Sequence, residues 1–99
     1  MKTFVVLTRR PDADAGQLAR HSRPELLAVW KGMAEGAVRA VHGLQEGAGA
    51  VLEMETGTAA EAGRFVAALP YVQEGLLDVQ VFALKPFPAF ETLSSAAAA

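Results

Sequence analysis

The chain has no cysteine, which excludes a disulfide framework, a thiolate metal site and a cysteine nucleophile while fitting any redox compartment. Excess charge is equally scarce. Nine Lys and Arg stand against eleven Asp and Glu, a net charge of −2, so nothing draws the chain toward a nucleic-acid backbone. No apolar run approaches the roughly 20 residues that span a bilayer. The run from Phe4 to Leu7 also falls short of the roughly 7–15-residue core of a signal peptide, so the expected location is the cytoplasm. Histidine occurs twice and never in a His-x-x-x-His spacing, so no metal site is expected. No internal repeat and no linker is present.

What the chain does have is apolar mass, 52% of 99 residues, ample for one small core and too little for two. A single domain over 1–93 is expected, with 94–99, Ser-Ser followed by four Ala, as a frayed end. A chain this short removes only about two-thirds of its unfolded surface from water, so self-association would add stability that the monomer core lacks.

Phe4, Val5, Val6 and Leu7 predict a strand buried on both faces. From Ala13 to Glu35 the spacing turns helical, with Leu26, Trp30 and Met33 at i, i+4 and i+7, and core packing is the default role of Trp30. Ser22 and Glu25 match a capping box with Pro24 in the tolerant first turn, so a short helical turn around 15–20 and a main helix from Arg23 to about Ala34 are expected. Gly36 ends that helix. Ala37 to Gly43 and Ala50 to Glu55 read as two strands of a hairpin turning at 46–49. Thr58 with Glu61 caps a second helix bearing Ala62, Phe65, Val66 and Leu69, which Pro70 terminates. A fourth strand runs from Leu77 to Lys85.

Strand, helix, strand, strand, helix, strand is the split βαβ order of a ferredoxin-like α+β fold, an antiparallel four-stranded sheet with two helices on one face. Apolar residues on both sheet faces leave one face bare, and a second copy packed sheet against sheet would cover it. The segment Phe87 to Leu93 carries three large apolar residues outside any regular pattern and is expected to wrap over the partner.

Residues able to do chemistry are few. His42, in the second strand, titrates near neutrality and suits general acid or base work, or else serves as a hydrogen-bonded structural histidine. Two hairpin registers are open. One sets His42 opposite Val51 and Ala40 opposite Glu53, with His42 and Glu53 on one face as base and orienter; the other pairs Arg39 with Glu55 and turns His42 toward the helices. Asp78 and Gln80 project toward the expected partner sheet, where Asp78 would accept a proton or pair with Arg9, Arg39 or Lys85. His21 and Glu25 are four apart and read as structural. Tyr71 gates a pocket mouth or packs its loop down. The glycines at 47 and 49 form a turn, without the context of a phosphate loop.

Leu69 and Pro70, Leu77, Asp78 and Val79, Val81, Leu84 and Pro86 together resemble the last third of the muconolactone isomerase family, with similarity from Glu35 and Gly36 to Pro86. The resemblance implies a dimeric α+β barrel and a cofactor-free proton shift within a small unsaturated lactone, in a pocket formed with neighbouring subunits. His42, Glu53 and Asp78 are then the candidate bases, Arg39 the anion anchor, and Trp30, Tyr71 and Phe82 the candidate substrate contacts. The alternatives are a cofactor-free monooxygenase acting on an aromatic substrate near Trp30 and Phe82, and a non-catalytic binding or assembly module. The expected partners are a second copy and a small organic ligand, with no nucleic acid and no membrane.

Overall fold

The computed structural model describes residues 1–98, with side chains to Ser94. Strand β1 spans Lys2–Arg9, helix α1 Ala15–Glu35, β2 Val38–Gly43, β3 Gly49–Glu55, α2 Ala59–Ala67, α3 Pro70–Gln73 and β4 Leu77–Ala83; a 3-10 turn at Pro88–Phe90 leads into α4, Glu91–Ala98. The backbone is thus helical through most of the segment expected to fray, while Ala99 lies outside the described residues. Among those residues no helix is long and apolar enough to cross a membrane.

The four strands form one antiparallel sheet in the order β2-β3-β1-β4. This is the ferredoxin-like α+β arrangement. Thr3, Val5 and Leu7 of β1 point to the helices with Leu52 and Met54 of β3, and all five are buried. The four apolar ones form the core with Val38, Ala62, Val66 and Leu69, each fully buried large aliphatic side chain contributing about 1.5–3 kcal/mol. Phe4, Val6, Val51 and Phe82 point the other way, onto a face that no element covers among the described residues.

Local signals explain most of the element ends. Gly36 adopts φ 90° and closes α1 with its N–H on Met33 O, a conformation in which a Cβ would be strained. Thr58 caps α2 by accepting from Glu61 N at 3.3 Å. Glu61 reaches back to Gly57 N at 3.0 Å.

Helix α1 corrects two expectations. It is continuous through Pro24, and its cap is Asp14, which accepts from Gln17 N at 2.9 Å. Ser22 and Glu25 form no capping box, because packing along one side holds the helix together across the rung that Pro24 removes. Its inward face is Leu18, Glu25, Ala28, Val29 and Gly32, whereas Trp30 is 66% exposed and Leu26, Leu27 and Met33 also face outward. The strongest apolar triplet lies about 100° around the helix from the buried face. Small residues win that face because α2 and β2 already fill the space: a Cβ on Gly32 would stand 2.6 Å from the Phe65 ring and 2.9 Å from Val38.

Candidate functional site

The hairpin adopts the register with His42 opposite Val51 and Ala40 opposite Glu53, so both side chains lie on the uncovered sheet face. His42 Nε2 stands 3.4 Å from Glu53 Oε2. The register slips between Val38 and Ala40, which takes Arg39 out of the ladder as a bulge does. Its Nε donates to Gly36 O at 2.6 Å, away from Glu55.

The other sequence candidates scatter. Asp78 accepts from Arg10 Nη1 at 3.0 Å, and Arg10 Nε also donates to Asp12 at 3.2 Å. The hydrogen bond and charge of Asp12, and then the charge of Asp78, raise the Arg10 pKa further, so this guanidinium stays protonated. Asp78 therefore pairs within its own chain, with a partner outside the three arginine and lysine candidates named above. Phe82 shares the open face with His42 and Glu53 but is two strands removed from β3. Trp30 stands on the outer side of α1.

Tyr71 alone among the candidates lines the cavity of about 410 Å³ between α1 and the inner face of the sheet. Its other walls include Leu18 and Val29 of α1, Leu7 and Leu52 of the sheet, and two charged residues, Glu25 and Arg9. This cavity lies on the helix side of the sheet within one chain, whereas the resemblance implies a pocket formed with neighbouring subunits. An apolar chamber with a few convergent polar groups is the usual form of a small-molecule site.

Glu25, read from the sequence as structural, is the buried acidic group of this cavity. It is 7% exposed, and Oε1 accepts from Tyr71 N at 2.9 Å. The hydroxyl of Tyr71 donates to Leu18 O at 2.9 Å, pinning α3 to α1. Burial pushes the Glu25 carboxyl pKa above its ordinary value, and the Tyr71 amide offsets part of that rise. A carboxyl so placed is poised to hold and release a proton nearer neutrality than an exposed one. The signal in the sequence was one acidic residue at i, i+3 and i+7 with Ala28 and Gly32, a face too small to be a core stripe. Arg9, at the end of β1, has no ion-pair partner among the described residues. Among those residues, no three His, Cys, Asp or Glu side chains cluster as metal ligands.

The sequence matches no protein-family model and no curated protein. Solved structures are similar. Muconolactone isomerase superimposes with a TM-score of 0.75 at 18% identity, over 90% of this chain and 93% of that one. The 5-chloro-2-hydroxyhydroquinone dehydrochlorinase of Burkholderia phenoliruptrix AC1100, solved with 2,5-dihydroxybenzoquinone, superimposes with a TM-score of 0.70 at 18% identity, over 86% and 94%. At that identity the likeness is one of architecture. The chain has a muconolactone isomerase-like fold.

Proposed function

We propose that this protein is a small-molecule enzyme of the muconolactone isomerase type, a homodimer that moves a proton on a small organic acid or lactone without a cofactor. The observation that carries the reading is Glu25, a buried carboxyl of raised pKa in an apolar cavity that also holds Arg9. In its ionised form Glu25 takes a proton from a carbon next to the substrate carbonyl, and the electron pair moves into the conjugated enolate. The same carboxyl returns the proton at another carbon of that system. One C–H bond breaks, another forms, and Glu25 ends as it began. Arg9 supplies a charge for the substrate carboxylate or the enolate oxygen. The names of the two similar structures, an isomerase and a dehydrochlorinase of small ring compounds, agree with that chemistry.

A second reading places the base at His42, oriented by Glu53 at 3.4 Å, on the sheet face that a second copy would cover.

Deuterium incorporation into unsaturated γ-lactones and hydroxyquinols, followed by NMR in D2O, tests both. Wild type is expected to exchange a ring-adjacent proton, and Glu25→Gln to slow it at least about 100-fold, the usual scale for a lost general base. Exchange that survives Glu25→Gln but is lost in His42→Ala moves the chemistry to the sheet face. The absence of both exchange and double-bond migration with every such compound refutes the proton-transfer reading.

A further inference from the structure

Two apolar surfaces remain bare even if a second copy covers the open sheet face. One is the outer stripe of α1, where Ala19, Ser22, Arg23, Leu26, Leu27 and Trp30 line a cleft of about 500 Å³. The other is the C-terminal arm. After Leu84, whose N–H still donates to Lys2 O at 2.9 Å, the chain leaves the edge strand. Phe87, Phe90 and Leu93 are then 65%, 66% and 65% exposed. The two phenylalanine rings meet edge to face, with centroids 5.1 Å apart.

The molecule is too extended for its size. Its radius of gyration is 16.8 Å and its long axis 63 Å, against a radius of about 12.6 Å for a compact domain of this length. It exposes 6631 Å², about 1,200 Å² more than the roughly 5,400 Å² of a compact chain of this mass. That excess exceeds the roughly 800 Å² per partner of a standard interface. Charge complements shape: Arg23 borders the cleft, Glu91 follows Phe90 on an arm with no basic residue after Lys85, and neither has an ion-pair partner among the described residues.

We infer that the arm of one copy, Phe87 to Leu93, seats on the α1 outer stripe of a second copy, with the phenylalanine pair in the cleft beside Trp30 and Glu91 opposite Arg23. The contact is heterologous, arm to helix, so it closes reciprocally within a dimer or links copies into a ring. Aromatic pairing and apolar burial supply its strength, while the ion pair at its rim sets register. The seat shares Leu26 with the wall of the cavity, but the inference does not rest on the chemistry proposed there.

Trp30 is the sole tryptophan, so its emission reports the seat directly. The full chain is diluted from high to low micromolar concentration, with mass followed by light scattering and Trp30 by fluorescence. Emission is expected to move to longer wavelength as mass falls. Phe90→Ala is expected to weaken association by about tenfold or more, as a central aromatic contact does. Arg23→Glu and Glu91→Arg are each expected to weaken it by about two- to fivefold, on the scale of a rim ion pair. The double charge swap should restore it. That rescue separates a specific seat from general stickiness, and circular dichroism checks that each surface variant is folded. The inference is overturned by Trp30 emission that ignores both concentration and Phe90→Ala. It is equally overturned by a Phe90-dependent emission in a protein that stays monomeric, which would seat the arm on its own chain. Association that survives Phe90→Ala unchanged would also overturn it, by assigning assembly to the sheet face alone.

Discussion

Glu25 Oε1 accepts a hydrogen bond from the backbone N–H of Tyr71 at 2.9 Å, across 46 residues of sequence. The bond joins the middle of α1 to the first turn of α3, and it satisfies one oxygen of a carboxyl that burial has taken out of water. The side chain of the same tyrosine bonds Leu18 O at 2.9 Å. One residue therefore both caps the carboxyl and locks the element that carries the cap.

Burial raises the folded-state pKa of Glu25 above its ordinary value of 4.5. The folded protein then holds this proton more tightly than the unfolded chain, so its contribution to stability is full below about pH 4.5 and is lost as pH rises through the folded pKa. In urea titrations from pH 4 upward, Glu25→Gln is expected to flatten that decline. The amide keeps an acceptor for Tyr71 N–H. An unchanged pH dependence would show that Glu25 titrates normally.

Tyr71→Phe removes the hydroxyl and leaves Leu18 O without its donor. A loss of about 0.5–1.5 kcal/mol is expected by chemical denaturation. If α3 loosens, the Glu25 carboxyl resonance should also titrate at a different pH, because the amide that faces it is no longer held. A resonance that does not move would limit Tyr71 to a packing role.

Gly32→Ala would place a methyl group 2.6 Å from the ring of Phe65 and 2.9 Å from Val38. Overpacking of this kind costs about 1–3 kcal/mol, against the gain in helix propensity that Ala would otherwise bring. A lower thermal midpoint, partly recovered by adding Phe65→Leu, is the expected result. A higher midpoint would mean that α1 and α2 separate easily.

The hydroxyl of Thr3 is fully buried and has no hydrogen-bond partner among the described residues. Thr3→Val replaces it with a methyl group of similar shape in the middle of a sheet, which removes an unsatisfied group without opening a cavity. A gain of about 1 kcal/mol is expected. A loss would reveal a buried partner such as an ordered water.

Much of the fold was legible because its signals are local. The alternation of Val5 and Leu7 with Phe4 and Val6, the left-handed turn at Gly36 and the cap at Thr58 each act within a few residues, and each sits where expected. The hairpin register was left open, and pairing of His42 with Val51 decided it. Helix α1 was misread in rotation. Leu26, Trp30 and Met33 form its best apolar triplet, yet the ring of Phe65 and the methyls of Val38 occupy the space such side chains would need.

The sequence by itself determined the order of the four strands and two main helices, the cap at Thr58, the helix end at Gly36 and the two apolar faces of the sheet, because periodicity and backbone conformation depend on near neighbours. Only the tertiary structure decided which side of α1 turns inward, and hence that Glu25 meets Tyr71 beside a cavity containing Arg9 while Trp30 faces out. That choice rests on volumes supplied by α2 and β2, which no window along α1 contains.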